Sequence, residues 1–392
     1  MEHKFFIPRA AITERIKQGL LHSPVTALLG PRQCGKTSLA APLATRPDNL
    51  FDLHSLIDQA RLEDSNFRIL DGLEGIVVID EAQDKPELFR KLRVLADRRD
   101  SFTRFLITGS ASPTIANEVS ESLAGRIRLL PLGGLNLDEV GSANWEKLWL
   151  RGGFPRSYLH ELEEESLTWR LDYIEQFLRH DLPSLAETKL SGEQLRRLFL
   201  LIAHNHGQPW NHSKIAHLIG ANYKTVQRHL EVFKGAYILR ELFPYHSNLQ
   251  KRLRKAPKIY LRDSGLLHAL FLIRDQGSLL SHPSMGFSWE GFVIEQIISL
   301  TNSRDEECFT WSVTSGPEID LILTKPKGLF GFECKAGDAP KRTKSMAIGV
   351  NDLGLSKLFV IYPGKRNYPL DDDDKIEAVG IENLASMMTQ II

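Results

Sequence analysis

Residues Gly30-Pro31-Arg32-Gln33-Cys34-Gly35-Lys36-Thr37 combine two glycines, a lysine and a hydroxyl at the spacing G-x-x-x-x-G-K-[ST]. That chemistry suits a chain of phosphates. Glycines let successive backbone N–H groups curl toward the anion, the lysine reaches the β- and γ-phosphates, and the hydroxyl holds Mg2+. The contact set expected for ATP therefore runs through Gly30, Pro31, Arg32, Gln33, Cys34, Gly35, Lys36, Thr37 and Ser38. A chance Gly-rich turn is the alternative. The flanks argue against it, because an apolar run (Val25 to Leu29) precedes the loop and a helix-competent stretch (Ser38 to Ala44) follows. Pro42 within that stretch should shorten or kink the helix.

Further along, Val77-Val78-Ile79-Asp80-Glu81 ends an apolar run on two acids. Asp80 is placed to hold Mg2+, and Glu81 to act as general base on the attacking water. Leu106-Ile107-Thr108-Gly109-Ser110 offers a polar group near the γ-phosphate, with Ser110 the first choice and Thr108 the second. A plain Gly-Ser turn is the competing reading. Arg126 in Leu123-Ala124-Gly125-Arg126 is a candidate to neutralise transition-state charge, in cis or from a neighbouring subunit, with a surface salt bridge as the alternative. Arg32 is a second candidate for phosphate or partner contact.

These segments, with Gly152-Gly153-Phe154-Pro155 after them, stand in an order that resembles prokaryotic AAA-type ATPases carrying a C-terminal domain of unknown function. The resemblance covers nearly the whole chain, Cys34 falling at a variable position. It implies ATP binding, an α/β ATPase core and a C-terminal domain related to restriction endonucleases.

The C-terminal residues carry their own pattern. Trp289 to Glu295 opens an amphipathic helix, and Asp320 and Glu333-Cys334-Lys335 sit on two strand-like runs joined by a turn at Pro326-Lys327-Gly328. Glu333 and Lys335, two apart, face one side of a strand. The set resembles a PD-(D/E)XK nuclease core. Glu290, Asp320 and Glu333 would supply hard oxygen ligands to Mg2+, with Glu295 and Glu318 behind Glu290, and Lys335 would orient the water or stabilise developing charge. Many domains of this fold bind nucleic acid without cutting it.

Between the two lies a helix-turn-helix layout. Ser213 to Ile219 reads as a first helix with a serine cap, Gly220-Ala221-Asn222 as a turn, and Tyr223 to Leu230 as a second helix exposing Lys224, Gln227 and Arg228. Tyr237 to Leu242 and Lys258 to Leu261 would be the strands of a wing. Between them Lys251, Arg252, Arg254, Lys255 and Lys258 form a basic run suited to DNA phosphates. Winged helices also mediate protein contacts. Trp169, Tyr173 and Phe177, four apart in a helix from Leu162 to Leu178, read as a core face.

The elements that must position these groups follow from the apolar runs. Val25–Leu29, Leu50–Leu53, Gly75–Ile79 and Phe105–Thr108 alternate with helix-like segments, the pattern of a parallel sheet with crossover helices. The expected organisation is an α/β P-loop ATPase core over residues 1–150, a helical lid or linker over 151–195, a winged helix over 196–262, and an α/β restriction-endonuclease-like domain over 263–392. The 392 residues carry a net charge of zero, so DNA binding rests on a local patch rather than a global field. Cys34, Cys308 and Cys334 have no metal-ligand spacing, as in a reducing cytosol. No apolar stretch nears the ~18 residues of a membrane span, and the N-terminus lacks the apolar run of a signal peptide, so a cytoplasmic protein without a membrane partner is expected. Asp371 to Asp374 and Lys375 read as a native acidic loop, since patterned sequence continues beyond them. Two functions fit: ATP hydrolysis driving work on DNA, or a nucleotide-switched regulator with the C-terminal domain as a docking module. A homo-oligomer fits either.

Overall fold

The computed structural model describes residues 7–391 apart from 65, 99–101, 111–121, 186–189, 246–255 and 314–315. It divides into two compact units, Met1–Gly133 with Glu231–Tyr237, and Gly134–Leu230 with Ile238–Ile392.

The first unit is built on five parallel strands: β1 (Val25–Gly30), β2 (Leu50–Asp52), β3 (Ile76–Asp80), β4 (Arg104–Ser110) and β5 (Ile127–Pro131). Their order is β2-β3-β4-β1-β5. Every residue of β1 is buried, which explains its unbroken apolar run: a strand covered on both faces has no polar side to show. β5 was not among the expected strands. It lies at the sheet edge, with Arg128 and Leu129 exposed, so its apolar pattern is broken. The helix Glu87–Ala96 buries Leu88, Phe89, Leu92 and Leu95 against Val77, Ile79, Phe105 and Ile107 of the sheet. Register sets the site: Leu28 pairs with Thr108 and Ile79 with Ile107, so the carboxyl ends of β1, β4 and β3 line up with β4 between.

The second unit carries a nine-stranded sheet among its described residues, in the order β13-β14-β12-β11-β10-β9-β7-β8-β6. The strands are β6 (Gln208–Pro209), β7 (Leu239–Pro244), β8 (Lys258–Leu261), β9 (Cys308–Ser312), β10 (Glu318–Lys325), β11 (Gly328–Cys334), β12 (Lys357–Tyr362), β13 (Tyr368–Pro369) and β14 (Ile376–Gly380). β10 and β11 form the expected hairpin, with Lys325 opposite Gly328. β7 and β8 pair antiparallel as the two strands expected of a wing, but they do not stand alone. β7 continues in parallel onto β9, so one sheet runs through residues expected to lie in two domains.

Helices His212–Ile219 and Tyr223–Gly235 flank a turn at Gly220, whose φ of 66° needs no Cβ penalty to be met. The first helix is capped by the side chain of Asn211, which accepts from the Lys214 N–H, so the cap is Asn211 and not Ser213. Asn222 caps the second in the same way, accepting from Thr225 N–H at 2.8 Å. Tyr173 and Phe177 are buried, and Phe154 packs on the rings of Trp169 and Tyr173, so that aromatic stripe is core.

Candidate functional site

The loop after β1 is shaped by three residues. Gln33 and Gly35 both adopt positive φ, 62° and 97°, and such alternation turns consecutive N–H groups into one concavity. Gly30 is fixed by space, since a Cβ there would lie 2.2 Å from the carbonyl oxygen of Leu132. The helix that follows runs only over Lys36–Ala40 before tightening to a 3-10 turn at Ala41–Leu43 around Pro42, as the proline required. Lys36 is buried, its ammonium donating to the carbonyls of Gly30 (3.1 Å) and Pro31 (2.9 Å). Buried Arg9, which sequence reasoning missed, braces the loop from outside through the carbonyls of Cys34 (3.4 Å) and Gly133 (3.1 Å). Cys34 is wholly buried, and burial pushes its thiol up, so it stays protonated.

Asp80, at the end of β3, is buried and meets two hydroxyls. Thr37 Oγ1 donates to its Oδ2 at 2.6 Å, and Thr108 Oγ1, from the intervening strand, donates to its Oδ1. Thr37 and Asp80, the pair expected to share Mg2+, therefore stand together and fit that ion. Glu81 adopts φ 54°, a strained turn off the strand end, and its carboxylate accepts from Gln83 Nε2. Gln83 Oε1 is buried without a hydrogen-bond partner among the described residues and lies against Gly109. The side chain of Ser110 lies outside the description, and only its backbone is placed, beside Gly30. Arg126 lies elsewhere. Its carbonyl accepts from Val25 N–H at the start of β1, roughly 20 Å along the strands from the loop at ~3.3 Å per residue. Its guanidinium pairs with Asp97. It does not reach its own chain's phosphates.

In the second unit three carboxylates converge. Glu290 comes from the helix Met285–Leu300, Asp320 from β10 and Glu333 from β11, and all are buried. Burial, then the neighbouring Asp320, raises Glu290 and Glu333 well above the usual carboxylate range. Burial raises Asp320 as well. Asp320 accepts from Cys334 N–H at 2.8 Å, and Lys335 reaches Glu333 at 2.8 Å. Two further participants come from β8: Tyr260, which was missed in the sequence, and Lys258, which was expected in the basic run for DNA phosphates but turns inward to a carboxylate instead. Lys258 and Tyr260 of β8 donate to the same oxygen of Glu290, at 3.2 and 2.6 Å. Their alternation on a strand was legible; the strand's neighbour was not. Glu295 does not belong here. It is bound by Arg240 and Arg262 in an ion network that also takes in Asp305. Glu318 is exposed. Among the described residues no three His, Cys, Asp or Glu side chains stand placed to hold a metal ion.

Lys224, Gln227 and Arg228 are exposed on the helix Tyr223–Gly235. Lys251, Arg252, Arg254 and Lys255 lie outside the described residues. No described helix is long and apolar enough to cross a membrane.

Comparison with known proteins adds the family. Proteins Rv2008c of Mycobacterium tuberculosis and Mb2031c of Mycobacterium bovis, both uncharacterised, are each 40% identical over 367 residues, 93% of this chain and 82% of theirs. This chain belongs to their family. Residues 22–141 match the AAA domain, 142–277 a domain of unknown function (DUF8612) and 285–384 another (DUF4143). The first unit thus carries an AAA-type P-loop ATPase domain. A Walker-type ATPase of Pyrococcus abyssi aligns with 68% of this chain and 96% of its own, at 16% identity and TM-score 0.46, a likeness too loose to bear on function.

Proposed function

We propose that this chain is a Mg2+-dependent ATPase that couples hydrolysis to the engagement of DNA. The observation that carries the ATPase part is the contact of Thr37 and Thr108 with Asp80 at the mouth of the phosphate loop. Thr37 and Asp80 would hold the ion, which would neutralise charge on the β- and γ-phosphates. The loop N–H groups and Lys36 orient the triphosphate. Glu81 takes a proton from the attacking water as its oxygen bonds to the γ-phosphorus and the bond to the bridging oxygen breaks. Gln83 fixes the carboxylate for that step. Arg126, remote from its own phosphates, contributes only from a neighbouring subunit, which makes an oligomer part of this reading.

The DNA part rests on the helix pair and its exposed Lys224, Gln227 and Arg228, the basic residues 251–255, and the nuclease-like placing of Glu290, Asp320, Glu333 and Lys335. A second reading, a nucleotide-switched regulator whose nuclease-like unit docks without cutting, is favoured by one observation: Lys258 and Tyr260 already engage Glu290.

Glu81→Gln tests the ATPase. It should bind ATP with near wild-type affinity while turnover falls on the order of 10²–10⁴-fold, the usual worth of a general base. Unchanged turnover would remove Glu81 from the role. Lys36→Ala should lose nucleotide binding.

A further inference from the structure

Arg9 stands ahead of the segment that matches the AAA domain, residues 22–141, yet it touches the phosphate loop directly. It immediately precedes the helix Ala10–His22, whose Ile12, Ile16 and Leu20 are buried, and is itself 7% exposed. One nitrogen, Nη1, donates to two carbonyls, Cys34 O at 3.4 Å and Gly133 O at 3.1 Å. Gly133 follows Leu132, whose N–H donates to Leu29 O of β1 at 2.8 Å. Arg9 thus ties the loop to backbone that is already fixed to the sheet.

What this grip does follows from peptide geometry. Among the described residues every peptide bond is trans, so the C=O and N–H of one peptide point in opposite directions. A Cys34 carbonyl turned to Arg9 therefore turns the Gly35 N–H away from it, into the concavity made by the positive φ of Gln33 and Gly35. No acceptor among the described residues meets that N–H. Lys36 holds other carbonyls of the loop, those of Gly30 and Pro31. A lysine that reaches for the β- and γ-phosphates must let them go. We propose that Arg9 is a positioning residue of the nucleotide site. Its hold on Cys34 O aims the Gly35 N–H at the β-phosphate, and keeps it aimed once Lys36 has turned to the phosphates. The inference rests on the nucleotide-binding reading of the loop and extends that site to the N-terminal segment.

ADP binding to the full chain without metal, followed at the Gly35 amide, tests this. Cys34-Gly35 is the only Cys-Gly step in the sequence, so carbonyl-labelled cysteine with nitrogen-labelled glycine singles out that amide in a magnetic resonance spectrum. In the wild type, ADP should move the resonance downfield as the N–H meets phosphate. In Arg9→Ala the shift should shrink and ADP should bind about tenfold more weakly, the worth of one charge-assisted hydrogen bond. Millimolar guanidinium should restore both by filling the place of the lost side chain, whereas a fold merely loosened by the truncation would be loosened further. Arg9→Lys serves as the second variant should the alanine unfold the chain. Its ammonium ends one bond short of Nη1, and the same weakening is expected without recovery by guanidinium. A full shift and unchanged ADP affinity in either variant overturns the proposal and leaves the nucleotide site standing. Weakening in Arg9→Ala that guanidinium does not restore overturns it too, reducing Arg9 to a structural role. No ADP binding by the wild type overturns the nucleotide reading as well.

Discussion

At the scale of residues, Asp80 is the pivot of the ATPase centre, because two hydroxyls from different elements converge on its two oxygens. Thr108→Val keeps the shape and deletes one donor. It should raise the Mg2+ concentration needed for half-maximal turnover by about tenfold, the worth of one charge-assisted hydrogen bond, while nucleotide affinity without metal stays put. An unchanged Mg2+ dependence would reduce Thr108 to packing. Cys34 shows a different kind of residue-level consequence. Its thiol is buried in the loop and kept protonated. Thiol-directed alkylation should therefore miss it in the native protein and reach it on unfolding. Rapid native labelling at Cys34 would mean the loop opens. The motif was fully legible in the sequence because its chemistry is local: glycines, Lys36 and Thr37 follow one another. Arg9 was not, because it acts through the carbonyls of Cys34 and Gly133, which only folding brings near.

At the scale of elements, strand ends position the chemistry and buried polar groups tie helices to them. The helix Ser264–Leu270 places His268 in the interior of the second unit, between Leu150 O (2.9 Å) and Ser288 Oγ (2.6 Å). Burial holds its pKa down at about 3. The unfolded chain binds a proton near pH 6.5 that the folded one refuses. The stabilisation is therefore complete above pH 6.5 and lost as pH falls toward 3. The stability gap between wild type and His268→Asn should accordingly narrow by about 1.4 kcal/mol per pH unit between pH 6 and pH 4 in chemical denaturation. A gap that ignores pH would show that the histidine is charged in the fold. Element boundaries in the first unit matched the apolar runs within about two residues, as parallel strands buried on both faces read plainly. The second unit was harder to read. β7 and β8 were expected as strands, yet nothing local says that β7 will continue onto β9 and bring Lys258 beside Glu290. Pairing between distant strands is settled by packing, and residue spacing carries no trace of it.

At the scale of the whole molecule, the question is whether the ATPase domain and the features proposed to engage DNA speak to each other. Coupling is a free energy, and it is reciprocal: if ATP changes DNA affinity by some factor, DNA must change ATP affinity by the same factor. Glu81→Gln is the variant for this measurement, because it is expected to hold ATP without turnover and so permits true equilibria. Binding of short duplex and forked DNA should weaken steeply as salt rises. Reversing Lys224 and Arg228 to Glu should flatten that slope by about two, one for each lost phosphate contact. With ATP present, DNA affinity should shift by the 5- to 150-fold typical of linked sites, roughly 1–3 kcal/mol, and ATP affinity should shift equally when DNA is added. Absence of DNA binding at low salt would leave the ATPase standing and turn the protein into a nucleotide-switched regulator. DNA binding indifferent to ATP would separate the two activities. Unequal factors would reveal a third participant, and a change of mass on adding ATP would identify it as a second copy of the chain, the arrangement in which Arg126 reaches a neighbour's phosphates.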